Sequence, residues 1–198
     1  IVKPAFVRIR RAIMSVPLLP DRGCIPFTIS PVPVVNALDA VTSWEWDFGD
    51  GGSAFVQNPT HTYTVQGTYT VKLIITTSSG CRDTLTINNA VQVGSKPLAN
   101  FSAAPNPVCA RKPVQFTNLS VPADEWLWDF GDGTTSTLQN PTHIFSDTGY
   151  FDITLIAYNN GCPDTIVFQN YIYVLPPIAV MGVFPDCNNR LRFTFQDA

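Results

Sequence analysis

The chain has 198 residues, of which 14 % are charged, and a formal net charge of −3. That length houses two domains of roughly 80–100 residues, each with its own core. The charge balance supplies no basic field for phosphate, which excludes nucleic acid as an expected partner. No run reaches the ~18 consecutive apolar residues of a membrane-spanning helix. Val, Ile, Thr and aromatic residues are abundant, helix-forming runs are lacking, and 17 Pro with 12 Gly punctuate the sequence, which predicts an all-β protein.

In chain order, Pro4-Ala5-Phe6-Val7-Arg8-Ile9 reads as a strand and is followed by a Pro-rich approach to Cys24. Arg8, Arg10 and Arg11 precede the apolar Ala12–Val16. The run is too short for a signal peptide, Pro17 follows it, and no small-residue cleavage site comes after. Phe27 and Ile29 share one face of the next strand, which Pro31 and Pro33 interrupt as at a sheet edge. Residues 42–48 alternate, placing Trp44, Trp46 and Phe48 on one face. Gly49-Asp50-Gly51-Gly52 turns the chain. Asn58-Pro59-Thr60-His61 makes a second corner. The following strand points Tyr69, Val71, Leu73 and Ile75 inward. After Ser78-Ser79-Gly80, Cys81 opens a last strand that runs to Val93. About seven short strands separated by turn signals predict a β-sandwich.

Gly94-Ser95-Lys96-Pro97 is a linker, and the pattern then restarts. Trp44–Gly51 recurs as Trp126–Gly133, and Gln57–His61 as Gln139–His143, both at an offset of 82 residues. Such a period suits a small domain used in series. The expected modules are 1–94 and 95–175. Residues 176–198, with Cys187 ahead of Arg192-Phe193-Thr194-Phe195, read as the opening of a truncated third. The chain, which starts without Met, is thus expected to be a slice of a longer array, with the partner of Cys187 outside it.

Cys24 and Cys81 flank the first copy of the motif as Cys109 and Cys162 flank the second. The repetition predicts one disulfide within each module, Cys24–Cys81 and Cys109–Cys162. The rival reading, a metal site, lacks a CxxC pair, and His61 and His143 lie far apart. Disulfides imply an oxidising compartment, so an extracellular or cell-surface location is expected.

Trp46-Asp47-Phe48-Gly49-Asp50-Gly51, then Asn58-Pro59-Thr60-His61-Thr62-Tyr63, then Gly67-Thr68-Tyr69-Thr70-Val71-Lys72-Leu73 resemble the signature of the polycystic-kidney-disease (PKD) domain family. The resemblance implies tandem immunoglobulin-like β-sandwiches. The second copy departs from it at Phe145 and Phe151, where the first has Tyr63 and Tyr69. If Tyr69 makes a corner hydrogen bond through its hydroxyl, Phe151 keeps only the packing. The Gly-Cys-x-Asp-Thr ending and paired cysteines look like PKD domains of very large proteins that gliding and biofilm-forming bacteria export by type IX secretion. An adhesin or surface-filament component is therefore implied, with protein or polysaccharide at the cell surface, or further modules of the same chain, as partners.

Asp47, Asp50, Asp129 and Asp132 are the candidates for chemistry. Paired carboxylates can act as acid and base or hold Ca²⁺. Beside a glycine turn they also hydrogen-bond neighbouring amides, and the spacing lacks the third oxygen residue and distal Glu of an EF-hand. His61 and His143 have no nucleophile at fixed register beside them, so a corner-locking hydrogen bond is expected. Trp46 and Trp128 read as core, and Trp44 and Trp126 as partly exposed. Arg8, Arg10 and Arg11, on an approach longer than its counterpart in the second module, are candidate partner contacts. The expected function is a non-catalytic binding and spacing segment with no cofactor. The alternative is an accessory segment of a secreted protease or polysaccharide hydrolase whose catalytic domain lies outside this chain.

Overall fold

A computed structural model describes residues 11–176, 183–186 and 189–195. Its regular structure there is all β. One unit runs to Ser95 and includes Asn160–Cys162; the other takes up the chain at Lys96.

In the first unit, β-branched and aromatic residues between turns give β1 (Ile13–Ser15), β2 (Asp21–Cys24), β3 (Phe27–Ile29), β4 (Val34–Asn36) and β5 (Val41–Asp47). These are followed by β6 (Ser53–Ala54), β7 (His61–Tyr63), β8 (Gly67–Thr77) and β9 (Arg82–Gly94). A five-stranded sheet has the order β2-β9-β8-β5-β6. The opposing layer consists of two short pairs, β1-β4 and β3-β7.

The second unit contains β10 (Phe101–Ala104), β11 (Val108–Cys109), β12 (Pro113–Asn118), β13 (Glu125–Asp129) and β14 (Thr135–Ser136). It continues with β15 (Thr142–Ile144), β16 (Gly149–Asn159) and β17 (Cys162–Leu175). Its five-stranded sheet, β11-β17-β16-β13-β14, repeats the order of the first. Its second layer is one continuous sheet, β10-β12-β15. The difference traces to Pro31 and Pro33: proline has no N–H for the ladder, so the counterpart of β12 breaks into β3 and β4. The last strands, β18 (Val183–Asp186) and β19 (Asn189–Phe195), form an antiparallel pair.

Each core lies between the layers. Trp46, Phe48, Tyr63, Val71, Leu73 and Ile75 are buried in the first; Trp128, Phe130, Phe145, Ile153 and Leu155 are buried in the second. The long strands β9 and β17 each carry one asparagine in the left-handed region, Asn89 and Asn170, both at φ 51°. Asparagine tolerates that conformation, and such a residue interrupts the alternation and bends the strand. The side chains beyond it, Val91 and Val93 or Ile172 and Val174, are fully buried.

The disulfides differ from the sequence expectation. Cys24 is bonded to Cys162, with Cα atoms 4.5 Å apart, so neither Cys24–Cys81 nor Cys109–Cys162 forms. Cys81 is a free, exposed thiol, and Cys109 is itself held in a disulfide. Strand register explains why a bridge within a module fails. Cys24 ends β2 beside Gly94, at the far end of β9, whereas Cys81 immediately precedes the start of β9. Thirteen residues of strand at ~3.3 Å each separate them by ~40 Å, while disulfide Cα atoms lie within ~7 Å. The same holds for Cys109, paired with Leu175 at the end of β17, and Cys162 at its start.

The long lead-in of the first module is also revised. The Ala12 amide donates to Asp83 Oδ2 at 2.8 Å, as the Ala99 amide donates to Asp164 Oδ2 at 3.0 Å. These matched bonds make Ala12 the counterpart of Ala99, so residues 12–24 correspond to 99–109 with little excess. Arg11 is exposed, while Arg8, Arg10 and Cys187 lie outside the described residues.

Candidate functional site

The repeated Asp-Phe-Gly-Asp-Gly turn is built by its own side chains. Asp47 Oδ1 accepts the Gly49 amide at 2.9 Å, and Asp50 Oδ1 accepts the Gly52 amide at 2.9 Å. The second copy repeats this with Asp129 and Gly131 at 2.9 Å and Asp132 and Thr134 at 3.0 Å. Gly49 has φ 81°, and a Cβ there would stand 2.5 Å from the carbonyl oxygen of Thr70. Glycine is required at that position both for its conformation and for the close approach of β8.

The Asn-Pro-Thr-His corner closes on this turn. His61 Nε2 is 2.8 Å from Asp50 Oδ2, and His143 Nε2 is 2.6 Å from Asp132 Oδ2. Each imidazole also lies flat on the phenylalanine between the two acids, at 4.1 Å in both copies. The corner-locking bond expected of these histidines is therefore present in both modules. Partial burial acts to raise the pKa of Asp50, but hydrogen bonds from His61 and the Gly52 amide outweigh it and hold the carboxyl below the ordinary value. At Asp132 burial is likewise outweighed, by the Thr134 hydroxyl and His143.

Behind the clasp lies an aromatic column. Tyr63 donates its hydroxyl to the Phe48 carbonyl at 3.0 Å, and burial pushes its pKa up. Tyr69 stacks on Tyr63 and donates its hydroxyl to the Val65 carbonyl at 2.7 Å, a bond that Phe151 cannot make. In the second module Phe145 and Phe151 keep the ring contact, at 4.6 Å, without either hydroxyl. Trp46 and Trp128 are fully buried and donate Nε1 to the carbonyls of Val56 and Leu138 at 3.0 and 2.9 Å. Trp44 and Trp126 are half-buried against their cores, and Trp126 Nε1 has no hydrogen-bond partner among the described residues.

The four aspartates thus occur as two pairs, one in each turn, with Asp50 and Asp132 using both carboxylate oxygens on protein donors. The remaining oxygen of Asp47 lies 3.7 Å from Lys72 Nζ. Among the described residues no group of three or more His, Cys, Asp or Glu is placed to hold a metal ion. No helix among them is long and apolar enough to cross a membrane.

Sequence reasoning missed Asp83 and Asp164, which pin the lead-in strands. Ala99 and Lys96, the latter 3.0 Å away, hold the Asp164 carboxyl below its ordinary pKa. The signal was present, since both acids occupy the same place in Gly-Cys-x-Asp-Thr. Their partners on the lead-in segments have no shared motif.

Comparison with known proteins follows the same division. The PKD domain profile matches residues 34–93 and again 94–170. The chain is 32 % identical over 169 residues to polycystin-1-like protein 1 of Oryzias latipes, covering 75 % of this chain and 6 % of that protein. It is 33 % identical over 174 residues to a microbial collagenase of Vibrio alginolyticus, covering 79 % of this chain and 21 % of the collagenase. It therefore spans only a small part of these relatives. Among solved structures, the fibronectin(III)-like modules of Clostridium thermocellum CbhA align with TM-score 0.53 and 17 % identity, over 83 % of this chain and 94 % of theirs, a likeness of fold alone. With both repeats matched and the paired turns, corners and sheet orders in register, the chain belongs to the PKD domain family and carries that domain twice in tandem.

Proposed function

We propose that this chain is a non-catalytic extracellular segment of a large secreted surface protein, a spacer and adhesive unit of adhesin or surface-filament type. One observation carries the reading. The polar atoms of the most recognisable motif are spent on the same internal bonds in both copies, which is the behaviour of architecture. On this reading residues 1–94 and 95–175 are the modules, and 176–198 open a third. Partners are proteins or polysaccharides at a cell surface, met by weak contacts that gain strength through repetition. Arg8, Arg10 and Arg11 are candidates for such contacts. Attachment or gliding, with export by type IX secretion, is the cellular role proposed.

Beads carrying many copies of the chain test this against the soluble monomer on protein-coated and polysaccharide-coated surfaces. Retention by the beads ~10²-fold or more above the monomer supports the reading. Equal, negligible retention on every surface overturns the adhesive part of it.

The similarity to a microbial collagenase across 79 % of the chain favours a second reading, an accessory segment beside a catalytic domain. Deleting residues 11–176 from the natural protein separates the two. Loss of attachment without any hydrolytic activity to lose supports the surface role, whereas a hydrolase weakened on insoluble substrate supports the accessory role.

A further inference from the structure

Cys81 is a free and exposed thiol. It lies in the turn between β8 and β9, directly after Gly80, whose φ of 81° matches the 79° of Gly161 before Cys162. Its carbonyl accepts the Thr77 amide at 2.9 Å, and the Ser79 hydroxyl ties the turn to Asp39 at 2.7 Å, so the thiol stands on a held loop. Cys81 and Cys162 therefore occupy the same place in the repeat.

At that place in the second repeat the sulfur is bonded to Cys24, the last residue of a strand that runs parallel to β9. Cys109 is the matching residue of the second repeat, ending β11 parallel to β17. The bonded turn also shows what docking demands. A Cβ on Gly161 would run into the aliphatic part of Arg22, two residues before Cys24 on β2. At Gly80 a Cβ would meet nothing within 4 Å, so the same approach is sterically open. Cys81 cannot take its own module's cysteine, because Cys24 is occupied and lies at the other end of β9.

We propose that Cys81 is a docking thiol that bonds the lead-in cysteine of a further PKD module in the same polypeptide, one equivalent to Cys24 or Cys109. The bond forms by exchange with an oxidised disulfide donor, of the protein-oxidoreductase or glutathione class. The thiolate of Cys81 attacks a donor sulfur and releases one donor thiolate. The lead-in thiolate then attacks Cys81 Sγ in the mixed disulfide and releases the second. Two cysteine thiols are oxidised, two protons leave them, and the donor is reduced to its two thiols. This pairing rests on disulfide geometry alone and holds whether the segment adheres, spaces or accompanies an enzyme.

The test is peptide mapping of the natural protein, alkylated with N-ethylmaleimide and digested without reduction. The expected result is a Cys81 peptide linked to a cysteine that lies upstream of another Trp-Asp-Phe-Gly-Asp-Gly stretch, alongside a Cys24–Cys162 peptide. Recovery of Cys81 as its maleimide or glutathione adduct, or bonded to Cys24, Cys109 or a cysteine outside such a module, overturns the proposal. A Cys81-dependent disulfide between two separate chains, seen as a dimer on a non-reducing gel, overturns the same-polypeptide assignment. Absence of the Cys24–Cys162 peptide overturns the geometry from which the pairing is drawn.

Discussion

His61 lies flat against Phe48, ring centroids 4.1 Å apart and planes within 2°, while its Nε2 reaches the carboxylate of Asp50 at 2.8 Å. One residue of the Asn-Pro-Thr-His corner thus closes the glycine turn through two different forces. The second module repeats the arrangement with His143, Phe130 and Asp132.

The clasp makes stability depend on acid. Asp50 and Asp132 both have folded pKa values below the ordinary 3.8. A depressed carboxylate contributes stability that is present above pH 3.8 and is lost as pH falls through the lower folded value. Denaturant midpoints should fall below about pH 4. The pair Asp50→Asn and Asp132→Asn, which keeps an acceptor for the turn amide, should flatten that fall. An unchanged slope in the variant refutes the assignment.

Gly49 and Gly51 should respond differently to alanine. Both have positive φ, but a Cβ at 49 meets the Thr70 carbonyl while one at 51 meets open space. The conformational cost of about 1–2 kcal/mol applies to each, and displacement of β8 adds to it only at 49. Gly49→Ala should therefore lower the chemical-denaturation stability of the first module more than Gly51→Ala.

Trp46 and Trp128 are fully buried, so truncating either to alanine should cost about 3–5 kcal/mol. Tyr63→Phe tests a smaller interaction. It leaves the buried Phe48 carbonyl without its donor, at about 1–3 kcal/mol. A cost well below the lower figure would show that the first module tolerates phenylalanine there as the second tolerates Phe145.

The cysteines give an independent check on the recombinant chain. Cys162→Ser opens a bridge spanning 138 residues of sequence and should cost about 2–4 kcal/mol. Cys81→Ser should leave the melting temperature unchanged, since the thiol is free. The opposite ranking by calorimetry would restore the pairing of Cys24 with Cys81.

Calcium should not raise the melting temperature. Asp50 and Asp132 spend both oxygens on protein donors, and a cation would have to displace His61 or His143. A calorimetric titration with saturable heat, lost in Asp50→Asn, would show that the turn holds the ion after all.

Much of this was legible in one dimension. Alternation placed Trp46, Phe48, Val71, Leu73 and Ile75 inward, and all five are buried. Pro31 and Pro33 marked an interruption after the Phe27 strand, and β3 does end before them, with β4 starting only after. The hydroxyl of Tyr69 and its absence at Phe151 were readable from residue type. These features depend on side-chain chemistry within a few residues of sequence or on the two-residue period of a strand, so the chain states them directly. The positive-φ asparagines at 89 and 170 were not legible, because what demands the bend is the far end of β9 or β17 turning into the core.

The motif by itself determined the module, its glycine turn and its second copy. It did not determine which cysteine bonds which. A repeat marks Cys24 with Cys109 and Cys81 with Cys162 as equivalent positions, but it carries no information on whether partners sit within one copy or belong to successive copies. Only the register of β2 along β9 decided that, by setting the two cysteines of one copy at opposite ends of a thirteen-residue strand that a bridge a few ångströms long cannot span.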